Sequence, residues 1–182
     1  MCVIKIATLN INGMTATTRV GMLYNFVHRH ELDILFLEEF TNPDKLHFRG
    51  YEIHHIIGTS MRGTAILLRN AIPITKVHKL PSRCAMSAEY NGLRLINVYA
   101  PSGLARRSER ENLFNTELPT FFFTAPSHKI IGRDFNCVLN STDTTSPLKP
   151  VEHSEIVDLI DTWTQDPLRA TYTHHFPAEL HE

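Results

Sequence analysis

The dipeptide Asn91-Gly92 is the local signal that most constrains the fold of this chain. It separates two strand-like segments, 85–90 and 93–99. Asparagine and glycine tolerate positive φ at both central positions of a turn, so the pair predicts a tight antiparallel hairpin. A sheet that contains this hairpin is mixed, which argues against a plain dinucleotide-binding fold with a purely parallel sheet.

A strand–helix–strand unit is predicted before the hairpin. Residues 3–9 alternate as a strand does, residues 17–30 follow the helical period, and residues 33–37 form a continuous apolar run typical of a buried strand. In an α/β sheet, two strands joined in this way end at the same edge, which is where ligands bind. Further strands are predicted over 51–57, 64–69 and 73–77.

Polar side chains follow both strands of this unit. Asn10 and Asn12 come after the first strand, and Glu38 and Glu39 close the second. A carboxylate with an amide oxygen suits Mg²⁺, so Glu39 beside Asn10 is the predicted pair of metal ligands. Glu38 is expected to face away, because neighbouring residues of a strand point to opposite faces. The alternative interpretation is a pair of ordinary turns, one of them built on Asn-Gly geometry.

A second polar group follows a buried strand that is predicted to end at Ile131. Gly132 is expected to turn the chain sharply beyond this strand. Asp134 and Asn136 lie two apart, which places both side chains on one side and turns Phe135 into the core. A carboxylate beside a carboxamide can orient a water nucleophile or help to hold a hard cation. The alternative is a strand followed by an Asx turn.

The second hairpin strand carries further polar candidates. Tyr99 is expected near the mouth, where its hydroxyl can bond a phosphate oxygen, with Asn97 on the same side; the alternative is a tyrosine packed at a strand end. A helix is predicted next, and its start holds the densest basic cluster of the chain, Arg106, Arg107 and Arg110. Such a cluster is either simply solvated or a contact to a phosphate backbone.

Composition limits the class of partner. The chain has 182 residues, the size of one domain, with 18 basic and 19 acidic side chains, so a polyanion must be held by a local patch. Three isolated cysteines without CxxC spacing predict an intracellular protein with free thiols and no zinc site. We find no signal-peptide pattern and no apolar run long enough to cross a membrane.

Five short sequence motifs, taken together and in order, form a recognisable pattern. They are LNING at 9–13, FLEE at 36–39, RGTAI at 62–66, NVYAP at 97–101 and GRDFN at 132–136. In this order they resemble the endonuclease/exonuclease/phosphatase superfamily, which is DNase I-like. Within it, the chain is most similar to the apurinic-endonuclease-like domain of non-LTR (LINE-type) retrotransposon polyproteins. The tail, 156–163 and 171–173, also resembles the corresponding part of such domains.

The resemblance implies a fold and a reaction. The fold would be a four-layered α/β sandwich, with two mixed sheets face to face and helices outside. The activity would be Mg²⁺-dependent DNA nicking, with Mn²⁺ as an alternative metal. Asn10 and Glu39 would hold the metal, Tyr99 would contact phosphate, Asp134 would activate the attacking water, and Asn136 would hold the scissile phosphate.

The resemblance also implies partners and a location. The partner would be DNA, contacted through a larger polar set, and a reverse transcriptase domain would follow in the parent polyprotein. Acting on genomic DNA would place the protein in the nucleus. Together with the residue chemistry argued above, the expected phosphate and DNA contacts are Asn12, Asn97, Arg106, Arg107, Arg110 and Arg133.

The chain departs from the family pattern in two places. Arg133 stands where the family commonly has a small residue, so it either crowds the site or adds a phosphate contact. The family's later Ser-x-x-Asp and Asp-His segments are expected after Thr173 and are not found there. We therefore expect a single domain over 1–182 that lacks its last strands, with a rate reduced by ~10²–10⁴. The alternatives are a phosphatase or phosphodiesterase acting on small phosphoesters, and an inactive nucleic-acid-binding remnant.

Overall fold

The computed structural model describes residues 3–13, 17–41, 47–58, 62–126, 128–136 and the short strand at 174–175. Its strands are β1 (Ile6–Asn10), β2 (Ile34–Phe40), β3 (Tyr51–Ile57), β4 (Gly63–Arg69), β5 (Thr75–Lys79), β6 (Ala85–Tyr90), β7 (Leu93–Tyr99), β8 (His128–Asp134) and β9 (His174–His175). Its helices are α1 (Thr17–Arg29), α2 (Arg107–Asn112) and α3 (Pro119–Phe122), with a 3₁₀ turn (Leu104–Arg106) before α2 and a π-helical turn (Leu113–Glu117) after it.

The strands form two mixed sheets. In the first sheet the order is β3-β4-β2-β1-β9, with β1 parallel to both β2 and β9 and the other pairs antiparallel. In the second sheet the order is β5-β6-β7-β8, with β8 parallel to β7 and the others antiparallel. The predicted hairpin is confirmed as β6 and β7, since Asn91 and Gly92 have φ of 47° and 76°.

Three apolar layers hold the molecule together, and they confirm the four-layered α/β sandwich. Leu23 and Val27 of α1 pack on the outer face of the first sheet. Between the two sheets lie Ile34, Phe36, Ile66, Leu68, Met86, Ala88 and Leu95. The π-helical turn and α3 cover the outer face of the second sheet through Leu113, Phe114, Leu118, Phe121 and Phe122. Each sheet therefore packs its inner face against the other sheet and its outer face against helical segments.

The helical layer after β7 is less regular than predicted. A helix was predicted after β7, but the segment is divided into a 3₁₀ turn, α2, a π-helical turn and α3. The N-cap of α2 is Arg106, which makes no side-chain capping hydrogen bond. Pro119 has no N–H to continue the preceding turn and starts α3 instead. The aromatic side chains of Tyr24 and Phe123 are 40% and 68% exposed.

The prediction that Gly132 turns the chain sharply is wrong. β8 continues through Gly132 to Asp134. A Cβ atom at this position would lie 2.4 Å from Cβ and Cγ of Phe36, which belongs to the opposite sheet. Glycine is required here because the two sheets approach closely, not because the backbone bends.

The edge of the first sheet beyond β1 is paired. β9 runs alongside β1, with Leu9 opposite His174 and Asn10 opposite His175. The similarity of residues 156–163 and 171–173 to the family tail, and the thiols of Cys2 and Cys137, fall outside the described residues. Within the described part of the chain, Cys84 is a free and buried cysteine. None of the described helices is long and apolar enough to cross a membrane.

Candidate functional site

A polar contact joins the two sheets at the rim of the sandwich. Asn10 is the last residue of β1 in the first sheet, and Asp134 is the last residue of β8 in the second. The Asn10 Nδ2 donates a hydrogen bond of 2.7 Å to Oδ2 of Asp134, although the two residues are 124 positions apart in the chain. The polar ends of two predicted strands are thus brought to one place.

Both residues also form local Asx turns. The Asn12 N–H donates to Oδ1 of Asn10 at 2.9 Å, and the Asn136 N–H donates to Oδ1 of Asp134 at 3.0 Å. Asn12 and Asn136 have positive φ, 46° and 50°. The turn interpretation and the functional interpretation are therefore compatible, because the turns fix the direction of the amide and the carboxylate at the rim.

The carboxamide of Asn136 is held from the neighbouring strand end. Its Nδ2 donates to the carbonyl oxygen of Ala100 at 2.7 Å, and the Ala100 N–H donates to the Asp134 carbonyl at 2.8 Å. A primary amide has two N–H donors, so one remains for a ligand. The carboxylate of Asp134 and this amide form a rigid pair beside the end of β7.

The glutamate pair is arranged differently from the prediction. The β2–β4 register shifts between Glu38 and Phe40, and Glu39 has φ of 52°. Because this bulge inserts a residue, strict alternation fails, and Glu38 does not turn away from the site. Glu38 is 1% exposed and accepts a 2.7 Å hydrogen bond at Oε1 from the Thr8 hydroxyl.

Burial controls the ionisation of Glu38. It raises the pKa of this carboxyl from 4.5 to about 8, the negative charge of Asp134 raises it further, and the hydrogen bond from Thr8 acts in the opposite direction. The site therefore contains two neighbouring carboxyl groups in different environments. The fold opposes a second negative charge beside Asp134.

Glu39 faces a phenol and a guanidinium. It is ion-paired with Arg62, the residue before β4, and the Glu39 side chain is 13% exposed. Desolvation raises the pKa of Tyr99, the charge of Glu39 raises it further, and hydrogen bonds with Arg62 and Ser102 lower it. Glu39, Arg62 and Tyr99 thus form a charged cluster at the rim. Sequence reasoning gave Arg62 no role, although it lies in the RGTAI block.

A shallow cleft adjoins Tyr99. Three arginines line it: Arg62, Arg83 and Arg106. Arg106 also pairs with Glu109 at 2.6 Å, so its charge is partly balanced. Planar guanidinium groups around a phenol hydroxyl are suited to binding phosphate oxygens.

Asn97 does not reach the rim. It lies on the same side of β7 as Tyr99, as predicted, but it is fully buried between the sheets. Its Nδ2 donates to the carbonyl oxygens of Leu37 at 3.0 Å and Ala65 at 2.7 Å. Asn97 therefore joins the second sheet to β2 and β4, and a phosphate cannot reach it.

The basic cluster points in three directions. Arg106 lines the cleft, while Arg107 is exposed and pairs with Glu111 at 2.7 Å. Arg110 is 1% exposed and donates to the carbonyl oxygens of Pro101 and Gly103, both at 2.7 Å, so it fixes the loop after β7 instead of facing a ligand.

Arg133 neither crowds the site nor faces it. Its guanidinium lies 4.7 Å from the ring centroid of Phe135. Phe135 is buried, packs edge-on against Phe114, and belongs to the layer beneath the helices. Alternation along β8 therefore places Arg133 on the outer face and Asp134 on the inner face.

The donor chemistry of the rim fits a hard cation. Asn10, Glu39 and Asp134 offer carboxylate and amide oxygens, which Mg²⁺ prefers, and Mg²⁺ commonly takes one or two carboxylates and several waters. The described residues contain no group of three His, Cys, Asp or Glu side chains placed to hold a metal ion. Carboxylate and amide oxygens of this kind suit Mg²⁺ or Mn²⁺ better than zinc.

Comparisons with known proteins agree with this architecture. An AP endonuclease from Archaeoglobus fulgidus has a TM-score of 0.65 and 20% identity over 90% of this chain and 70% of its own. The 3′ phosphatase NExo from Neisseria, bound to product DNA hairpin, has a TM-score of 0.70 and 21% identity over 87% of this chain and 71% of its own. Truncated TDP2 from Caenorhabditis elegans has a TM-score of 0.56 and 20% identity over 79% of this chain and 65% of its own.

Sequence comparisons add no family. No family model matches the chain, and no curated protein matches it. Identities near 20% support a conclusion about architecture alone. The chain has the DNase I-like α/β sandwich fold, which it shares with the AP endonuclease, the 3′ phosphatase and TDP2.

Proposed function

We propose that this protein is a Mg²⁺-dependent phosphodiester hydrolase that nicks DNA. The observation that carries the proposal is the 2.7 Å contact between Asn10 and Asp134, which joins the ends of two strands from opposite sheets. Near it lie Asn136, Glu39 and Tyr99, which add an amide, a carboxylate and a phenol that can serve phosphodiester hydrolysis. The similarity of fold to a nuclease and a phosphatase supports this reaction class.

Each side chain has a role that its surroundings allow. Asp134 orients the attacking water and accepts its proton, since both of its oxygens are held in place by Asn10 and by the Asn136 N–H. The remaining N–H of Asn136 and the Tyr99 hydroxyl donate to phosphate oxygens as negative charge develops. The carboxylate of Glu39 and Oδ1 of Asn10 would hold the cation, which when bound supplies Lewis-acid polarisation of the phosphate.

The cleft beside Tyr99 supports a nucleic-acid substrate. Its guanidinium groups would contact phosphates on either side of the scissile bond, which a chain with nearly balanced charge can do only through a local patch. The resemblance of five sequence blocks to LINE-type endonuclease domains supports an origin in a non-LTR retrotransposon. A reverse transcriptase domain would then belong to the same polyprotein.

Nicking of supercoiled plasmid tests the proposal. The purified chain with Mg²⁺ is expected to produce open circles, and Asp134→Asn and Glu39→Gln are expected to reduce the rate by at least ~10²-fold. Glu52→Gln is the matched control, since Glu52 lies on β3 with a 60% exposed side chain. This control variant should retain the parent rate.

Substrate arms separate the alternatives. Abasic plasmid, a hairpin with a 3′-phosphate and bis-p-nitrophenyl phosphate are offered in parallel. Hydrolysis of the soluble phosphoester without plasmid cleavage would instead show a small-molecule phosphodiesterase. Salt-sensitive DNA binding by a folded chain that cleaves none of these substrates would show an inactive nucleic-acid-binding remnant.

A further inference from the structure

Arg62 occupies the carboxylate that the proposed function assigns to a metal ion. It stands directly before β4 and is ion-paired with Glu39, whose side chain is 13% exposed. The Arg62 side chain is 43% exposed. The carboxylate is therefore largely enclosed, while its positive partner extends from solvent.

A guanidinium and a divalent cation compete for such a carboxylate. Both are attracted to the same oxygens, and they repel each other at the short distances that joint binding would require. A divalent ion placed there is the largest local charge and determines which groups stay nearby. Simultaneous occupation of Glu39 by Arg62 and a metal is thus unfavourable.

Arg62 can leave Glu39 at low cost. An ion pair with one exposed partner contributes little, because the freed side chain is solvated again. Arg62 also hydrogen-bonds with Tyr99 and lines the same cleft as Arg83 and Arg106. A displaced guanidinium therefore has polar surroundings on the side where the substrate phosphates would lie.

We propose that Arg62 is the resident counter-ion of Glu39 in the metal-free protein and that a divalent cation displaces it on binding. This inference rests on the proposed function, because it takes Glu39 as a metal ligand. Arg62 acts here as a positioning residue that holds the carboxylate in place and weakens the apparent affinity for metal.

Binding of Mn²⁺, followed by the electron paramagnetic resonance of the free ion, tests the displacement. Arg62→Met removes the competing charge and is expected to lower the Kd for Mn²⁺ by about three- to tenfold. Arg62→Lys keeps the charge and should stay near the parent value. Arg83→Met removes a charge from the same cleft and should change Kd by less than about twofold. Glu39→Gln should abolish this binding.

Several results would overturn the inference. One is an equal Kd for Mn²⁺ in Arg62→Met and Arg83→Met, or weaker Mn²⁺ binding by Arg62→Met than by the parent. The others are Mn²⁺ binding that survives Glu39→Gln, and absence of Mn²⁺ binding in both the parent and Arg62→Met. Arg62→Gln provides a second neutral variant if circular dichroism shows that Arg62→Met does not fold. If the parent nicks plasmid but Arg62→Met binds Mn²⁺ with the same Kd as the parent, the inference about Arg62 is refuted and the proposed function is not. If the Kd values for Mn²⁺ follow the expected pattern but the parent hydrolyses no phosphodiester, the proposed function is refuted and the displacement of Arg62 is not.

Discussion

Glu38 is a side chain whose ionisation the fold opposes. It is 1% exposed, and burial is the main reason that its pKa rises to about 8. A carboxyl whose pKa is raised on folding contributes stability that is fully present below its unfolded pKa, 4.5, and is lost as the pH rises through about 8. The stability of the metal-free protein should therefore fall across this window.

Replacement by glutamine isolates this effect. In EDTA, we expect the free energy of unfolding of the parent to fall between about pH 5 and 9, by on the order of a few kcal/mol relative to Glu38→Gln, which has no proton to lose. Urea unfolding of both proteins at several pH values measures the difference. Parallel pH profiles for the two proteins would show that Glu38 ionises as freely in the folded state as in the unfolded one.

Individual side chains could be predicted where a strand ends in residues spaced two apart. This spacing correctly put Asp134 and Asn136 together, and it turned Phe135 into the core. The same rule failed for Glu38, because the bulge at Glu39 has no clear sequence signal. Alternation also gives the face of a residue but not its depth in the sandwich.

At the scale of elements, β8 depends on a glycine with a packing role. Gly132 lies against the ring of Phe36 across the two sheets. No side chain fits into this contact without movement of a strand or of the ring. β8 pairs in parallel with β7, and this pairing places Asp134 opposite Tyr99.

Alanine substitutions at two glycines distinguish packing from backbone freedom. Gly132→Ala would place Cβ 2.4 Å from Phe36 and is expected to lower the free energy of unfolding by about 2–4 kcal/mol. Gly21 lies in α1, and a Cβ atom there would have nothing within 4 Å. Gly21→Ala should therefore raise the free energy of unfolding by about 0.5–1 kcal/mol, because alanine favours the helix more than glycine does. Chemical denaturation measures both changes. An equal effect of the two substitutions would contradict the packing role of Gly132.

Elements with strong local chemistry could be predicted from the sequence. Asn91-Gly92 correctly fixed the β6–β7 hairpin, because few residues tolerate positive φ in succession. The breaks within the helical layer could not be predicted, because the apolar period runs through the π-helical turn Leu113–Glu117 without interruption. The true end of β8 was also missed, since a glycine that turns the chain and a glycine that packs look the same in sequence.

At the scale of the whole molecule, the site depends on the packing of two sheets. β1 and β2 supply Asn10 and Glu39 from the first sheet, and β8 supplies Asp134 from the second. Local patterns predicted most of these strands but not their order, which depends on contacts between distant segments. The layered arrangement followed from the resemblance of the five blocks. Arg110 and Arg133 were expected to contact phosphate, but Arg110 is buried and Arg133 lies over the ring of Phe135. These positions follow from packing and not from local sequence.

A metal ion held by Asn10 and Glu39, as proposed, should stabilise the folded state. The unfolded chain does not bring Asn10 and Glu39 together, so binding favours the folded state by RT ln(1 + [L]/Kd). At a Mg²⁺ concentration tenfold above Kd this amounts to about 1.4 kcal/mol, which corresponds to a rise in Tm of about 3–6 °C for a domain of this size. Differential scanning calorimetry at matched ionic strength, with K⁺ replacing Mg²⁺, measures the shift. Glu39→Gln should remove it, whereas an undiminished shift in this variant would place the cation elsewhere on the molecule.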